Sequence, residues 1–390
     1  MRILYFKIGN FKSFTDTNNK ISDASAINFI YGENNSGKSN VLKFLNIVFS
    51  PKIEVEKISI QGRDNQRETE GNFFDGVIDN EPYIYHKNQR EKDITFEFKI
   101  SVLKSDLEST GYEFYEQLKN EYFNNRNNDF KLKFTGRIFS LDQEATSFFE
   151  INEGSIEGHQ MYQRNVTGNI YFDKKPSLIG NKNAYIQLMA YFNNSVVFID
   201  NNRYFVNEKA TTDLGDLTPD NYKNWLYNFS LNAYTYHKYT SLLDFIRSFK
   251  IGKLNDIENL DLTFSIDSEN NLELMLNKGV DRLPITSFGT GINQLLYILT
   301  KIFMSESRIL VIEELELNLS PKTQKELFKV FKVLIENRVI DQIFFTSHSP
   351  YFNYRNDFSI YEVGINLNKV SSITKKERVQ GSFWVNRITD

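Results

Sequence analysis

The sequence predicts an α/β fold, a mixed central sheet with an antiparallel β lobe and a helical lobe. Three observations predict it. Near the start, a short apolar strand over residues 27–31 meets a glycine-bounded loop and then an amphipathic helix. Towards the other end, residues 309–347 read strand, helix, strand, the order of a parallel sheet with crossover helices. Between these ends the chain alternates apolar and polar residues in the strand period.

Each element has its own signal. Ile27, Asn28, Phe29, Ile30 and Tyr31 form a short buried strand that runs into Gly32. From Lys38 to Phe49, Val41, Leu42, Leu45 and Val48 fall at helical spacing, and Pro51 ends the run. The polar, Asn- and Asp-rich stretch 60–92 reads as loop. Asp93 to Leu103 and Phe130 to Ile151 alternate as antiparallel hairpins, with Asn152, Glu153 and Gly154 as a polar break after them. Residues 105–127 and 210–250 carry mixed helical patterning, and a helix is expected over Gln294–Met304. Ile309–Ile312 is a strand; Ser320 and Pro321 are N-cap and first residue of a helix through about Asn337. Gln342–Ser347 is a third buried strand, and Phe358–Val363 with Lys369–Ile373 close the sheet. There is no internal repeat and no sustained heptad, so long coiled-coil arms are not expected.

Composition narrows the function classes. At roughly 150 residues per domain, 390 residues give two to three units. The chain is 40% hydrophobic and 25% charged, as a soluble globular protein is, and 34 Phe and 21 Tyr supply a large core. No apolar run approaches the ~20 residues of a membrane span. The N-terminus enters a strand pattern without a signal-type apolar region. The expected location is cytoplasmic. With no cysteine, disulfides, thiolate metal sites and cysteine nucleophiles are excluded. His86, His159, His237 and His348 have no metal-ligand spacing. A net charge of -4 argues against binding nucleic acid by bulk charge, although a local basic groove would not register in the total.

Residues 32–39, from Gly32 through Glu33, Asn34, Asn35, Ser36, Gly37 and Lys38 to Ser39, fit G-x-x-x-x-G-K-[ST] in its strand–loop–helix context. Glycines let the backbone curl so that N–H groups converge on phosphate oxygens, and the helix N-terminus adds partial positive charge. Lys38 reaches the β- and γ-phosphates of a nucleotide, and the Ser39 hydroxyl ligates Mg²⁺. Glu313 and Glu314 follow the strand 309–312 at its C-terminal end, where ligands of parallel sheets bind. There the first carboxylate holds Mg²⁺ and the second polarises the attacking water; the plain alternative is a solvated acidic pair. His348 follows a neighbouring strand, where its imidazole can hydrogen-bond phosphate or water. Ser287 to Gln294, with Gly289, Thr290 and Gly291, makes a small-residue helix start, either an anion nest or a simple turn.

This order of motifs resembles the ATP-binding-cassette (ABC-type) ATPase heads of the P-loop NTPases, and within them the SMC/RecF/OLD-like branch. The resemblance is carried by Asn10 to Phe14 (NFKSF), by Gly32 to Asn40 with its NNSGKSN string, and by Thr346 to Pro350 (TSHSP). It covers roughly residues 1–50 and 285–375. It implies an ATPase core over 1–205 and 285–390 with β hairpins inserted at about 93–175, and a helical lobe over 206–284 leading to the signature. It also implies ATP and Mg²⁺ as ligands, with Asn34 to Asn40 on the phosphates, and Arg203 near the site unless it makes a surface salt bridge.

The sequence departs from that pattern in three places. Glu313 stands where the wider class has Asp, the next loop reads Glu314 to Pro321 in place of E-P-E-x-H-L-H-P, and Gly289 stands where many cassettes have serine, unless Ser287 supplies it. Cassette heads sandwich ATP between two copies, each signature completing the other's pocket. A homodimer or larger homo-oligomer is therefore implied. No nuclease-type acidic cluster follows His348, so the chain resembles stand-alone ATPases of bacterial anti-phage systems of the Septu, PARIS and retron type. In these the effector, a nuclease or toxin, acts in trans. A RecF-like ATPase that clamps DNA and a non-hydrolysing scaffold are the alternatives, and membranes are not an expected partner.

Overall fold

The computed structural model describes residues 1–15, 19–49, 76–78, 84–88, 91–108, 129–140, 147–156, 159–164, 170–172, 191–192, 195–203, 206, 208–211, 216–249, 262–278, 281–288, 290–305, 307–349, 352 and 358–377. The chain folds as two compact units. The first comprises Met1–Val196, Asp341–Thr346 and Asn353–Asp390; the second comprises Val197–Ile340 and Ser347–Phe352.

The first unit holds an antiparallel sheet. Its strands are β1 (Arg2–Gly9), β2 (Lys20–Ser22), β4 (Gly76–Ile78), β5 (Ile94–Leu103), β6 (Asp129–Phe139), β7 (Ser147–Ile156), β8 (His159–Arg164) and β9 (Ile170–Phe172). They lie in the order β2-β1-β5-β6-β7-β8-β9, with β4 along β7. β5 and β6 bury every second residue, as their period-two alternation requires. The expected hairpin over 130–151 is two strands, and the polar triplet 152–154 does not break the second. Thr135 pairs with Glu153 and Gly136 with Ile151, so Asn152 is the extra residue of a β-bulge inside β7. Turn-type residues here mark a bulge, not an end. Of the expected loop 60–92, residues 76–78 are the strand β4 and 86–88 a 3-10 turn; most of the rest, like 109–127 of the expected helical stretch, lies outside the described residues.

The same unit carries three parallel strands. β3 (Ile27–Tyr31) lies between β16 (Gln342–Thr346) and β17 (Ser359–Ile365), parallel to both, and β18 (Ser371–Lys376) runs antiparallel along β17. All five β3 residues are buried, including the polar Asn28. Its side-chain Nδ2 donates to the Ser25 and Ile343 carbonyls at 2.8 and 3.1 Å, which is what a buried amide requires. The helix Lys38–Val48 turns its apolar face inward, where Phe44 meets Phe6, Phe11, Phe96 and Phe98. Each such ring pair contributes about 0.5–1.5 kcal/mol beyond its area, which is where the phenylalanine-rich composition goes.

In the second unit β10 (Val196–Ile199) neighbours β15 (Ile309–Ile312). A small antiparallel sheet centres on β13 (Asn271–Lys278). β12 (Leu262–Ile266) lies along it, and β11 (Glu208–Lys209) and β14 (Asp281–Pro284) pair with its two ends. The segment 206–284, expected to be helical, thus carries these four strands as well as the helices Tyr222–Leu231 and Tyr236–Ser248. The helix Thr290–Met304 starts four residues before the expected Gln294. It is buried on nearly all sides from Ile292 to Thr300, as a central core helix is.

The helix Pro321–Glu336 begins where Ser320 and Pro321 predict. The Ser320 Oγ accepts the Thr323 N–H at 3.2 Å. Ser320→Ala is expected to lower stability by about 1 kcal/mol, read as a lower urea midpoint at unchanged m-value. Among the described residues no helix is long and apolar enough to cross a membrane.

Candidate functional site

One group of candidate residues lies in the first unit. The loop Gly32–Gly37 leaves the carboxyl end of β3, the middle one of three parallel strands, where open α/β sheets bind ligands. Its curl depends on two glycines. Gly32 has φ 156°, and a Cβ there would sit 2.2 Å from the Val363 carbonyl oxygen; Gly37 has φ 105°, and a Cβ would sit 2.6 Å from the Ser13 and Ser371 hydroxyls. Asn35 also takes a left-handed φ of 61°. Glu33, Asn34 and Asn35 are exposed, whereas Ser36 and Lys38 are buried and Ser39 and Asn40 half-buried.

The loop is braced from behind. The Ser371 hydroxyl donates to the Ser36 carbonyl at 2.5 Å, and the Asn40 Nδ2 donates to the Ser13 Oγ at 2.9 Å. Asn10-to-Phe14 and the C-terminal strand β18 therefore hold its shape. The Lys38 Nζ donates to the Gly32 and Glu33 carbonyls at 3.0 and 2.6 Å. The helix it opens has no side-chain N-cap and no acidic residue in its first turn, so its amides and dipole stay available to an anion.

A second group of candidate residues lies in the second unit. Glu313 and Glu314 follow β15. The Glu313 N–H donates to the Ile199 carbonyl at 2.9 Å, and the Glu313 side chain is buried. Glu314 has a φ of 45°, a conformation costing a non-glycine residue about 1–3 kcal/mol and held only by surrounding contacts. Arg203 supplies two of them. Its Nη2 donates to the Glu313 carbonyl at 3.1 Å and the Glu314 carbonyl at 2.6 Å. Arg203 is 1% exposed, so the surface salt bridge is not its role. Burial pushes its pKa down, and Glu316, Asp200, Glu314 and Glu313 oppose that shift.

Two further residues tie in His348. Glu316 accepts the His348 backbone N–H on Oε1 at 2.5 Å. Desolvation raises the pKa of Glu316, while that N–H and the Ser347 hydroxyl hold its charged form. Gln324 accepts the Ser349 hydroxyl at 2.6 Å and donates to the Leu319 carbonyl at 2.8 Å, fixing the turn after His348 to the helix 321–336. Sequence reading passed over both. Their signal is a polar residue on the inward side of an apolar run: Glu316 next to the buried Leu315, and Gln324 on the face of Leu327, Phe328 and Phe331.

Of the small-residue segment, Gly289 lies outside the described residues. Thr290 and Gly291 form the first turn of a helix and do not precede it. Gly291 comes close to its own chain, since a Cβ there would lie 3.0 Å from the Asn318 carbonyl oxygen. Just inside, Gln294 is 1% exposed, and neither its Oε1 nor its Nε2 has a hydrogen-bond partner among the described residues.

The residues of the loop Gly32–Gly37 and the helix start after it fit a nucleotide phosphate. The Ser36 Oγ is buried in the loop with no hydrogen-bond partner among the described residues, and the Lys38 ammonium and an uncapped helix start belong to the same segment. The Ser39 hydroxyl in the first unit and the Glu313 carboxylate in the second are each an oxygen donor of the kind a hard cation such as Mg²⁺ takes.

A family model described as an AAA ATPase domain matches residues 1–352. An uncharacterized protein of Methanocaldococcus jannaschii is 33% identical over 115 residues, 27% of this chain, and the chain spans 14% of that curated relative's length. Among solved structures, an Smc head bound to the C-winged helix domain of ScpA is 11% identical with a TM-score of 0.48, covering 96% of this chain and 98% of the other. The SMC head domain of Thermotoga maritima is 13% identical with a TM-score of 0.43, covering 96% and 99%. An Smc head with an extended coiled coil, bound to the C-terminal domain of ScpA derived from Pyrococcus furiosus, is 10% identical with a TM-score of 0.45, covering 100% and 99%.

Proposed function

The chain belongs to the AAA ATPase domain family, and from that premise we propose that it is an ABC-type ATP-hydrolysing switch working as a pair of copies. The observation that carries this reading is the phosphate loop, with the buried Lys38, the hydroxyl of Ser36 and an uncapped helix start converging at the end of a parallel strand. Asn34 to Asn40 take the triphosphate through backbone N–H groups and Lys38. Ser39 and Glu313 would hold Mg²⁺, which supplies charge neutralisation to the phosphates when bound. Glu314 accepts the proton of the attacking water, and the His348 imidazole hydrogen-bonds the terminal phosphate or that water.

Gly289, Thr290 and Gly291 of a second copy complete the pocket. ATP then adds contacts that exist only in the closed dimer, the differential affinity a switch requires. The output is read by a separate effector, a nuclease or toxin, in anti-phage defence. That part of the reading is supported by the resemblance of the NFKSF, NNSGKSN and TSHSP strings to the SMC/RecF/OLD-like branch, which such stand-alone ATPases resemble. The test is the mass and turnover of purified protein with ATP and Mg²⁺, with and without duplex DNA. The expected result is a shift from one copy to two with slow phosphate release; unchanged mass and no release overturn the reading.

A further inference from the structure

We propose that Arg203 is a positioning residue that aims Glu314 by clamping the backbone turn from which that carboxylate projects; this rests on the assignment of Glu314 as the group that activates water. Arg203 comes from the segment after β10, 110 residues before the pair it holds. A buried guanidinium that served only to neutralise charge would aim its fork at carboxylate oxygens, because that geometry is its strongest interaction. Four carboxylates, of Asp200, Glu313, Glu314 and Glu316, act on it electrostatically. Yet its side-chain hydrogen bonds go to two backbone carbonyls, those of Glu313 and Glu314, and its Nε and Nη1 bond no described residue.

The two carbonyls flank the one left-handed residue of the turn between β15 and Leu317, with Glu314 at φ 45°. The Glu314 carbonyl also accepts the Leu317 N–H at 2.9 Å. The guanidinium is therefore the side chain that fixes a strained φ at a carboxylate whose aim decides where a proton is taken. Misplacing a reacting group by about 1 Å costs on the order of a hundredfold in rate. Binding of the nucleotide, carried by the phosphate loop, does not depend on that aim.

The test uses the full chain and three variants. Arg203→Met keeps length and removes every donor; Arg203→Lys keeps the charge and an N–H donor. Arg203→Met is expected to lower kcat by roughly ten- to a hundredfold, with ATP affinity within about twofold of wild type, and Arg203→Lys to recover part of the loss. Adding either change to Glu314→Gln is expected to lower kcat no further, because an arm that aims a carboxylate has nothing left to aim.

Wild-type kcat in a folded Arg203→Met protein overturns the proposal. So does a loss of ATP affinity that tracks the loss of kcat, or an undiminished effect in the Glu314→Gln background. If Arg203→Met does not fold, Arg203→Lys carries the same kcat, affinity and double-variant readouts. Failure of the underlying assignment looks different: Glu314→Gln alone would then turn over at the wild-type rate.

Discussion

Lys38→Ala is expected to abolish ATP binding. Lys38 is 7% exposed and its ammonium donates to the carbonyls of Gly32 and Glu33. A hydrogen bond to a charged partner contributes about 1.5–3 kcal/mol, and each 1.4 kcal/mol is roughly tenfold in affinity. The pairing with a triphosphate adds Coulomb attraction. A loss of about a hundredfold or more follows, which takes binding out of the useful range. Titration calorimetry with ATP checks it. A dissociation constant equal to that of wild type would remove residues 32–40 from the nucleotide site. The fold should survive the change, since the helix 38–48 is held by the packing of Val41, Leu42, Phe44 and Leu45.

Glu314→Gln is expected to keep ATP and lose turnover. The amide has the shape of the carboxylate but no basicity, and general base catalysis contributes about 10²–10⁴-fold. Glutamine meets the same backbone cost at φ 45° as glutamate, so the turn is not further strained. With hydrolysis slowed by that factor and binding intact, the ATP-bound dimer accumulates. Light scattering behind a sizing column should report two copies in ATP and one without it. The same trapped protein, tagged and recovered from cells, is the bait for the effector, and recovery of neither protein nor nucleic acid counts against an effector in trans. Hydrolysis at the wild-type rate would mean that Glu314 is not the base.

Much of this was readable from residues alone because it is local. The phosphate loop, the strand ahead of it and the helix behind it are set by glycine, by apolar spacing and by an interrupted hydrophobic run, all within 23 residues of chain from Ile27 to Phe49. Ser320 and Pro321 fix a helix start through one hydroxyl and one ring. The acidic pair was legible because two glutamates follow four buried apolar residues at a strand end. Local rules erred where a residue type has two uses. Asn152 and Gly154 suggest a turn, but Asn152 is the extra residue of a bulge and Gly154 pairs with Phe134 within β7, because the neighbouring strand β6 continues past them. The helix expected from Gln294 begins at Thr290, because burial of the residues after Gly291 draws its start forward.

By itself the sequence determined the fold class, the phosphate loop and the positions of Glu313, Glu314 and His348. Only the tertiary structure decided what holds them: Ser13 and Ser371 behind the loop, Arg203 beneath the glutamates, Glu316 against the backbone of His348. The physical reason is separation along the chain. Ser371 meets Ser36 across 335 residues and Arg203 meets Glu314 across 111. A hydroxyl or guanidinium carries no pattern that names a carbonyl so distant until the strands between them have paired.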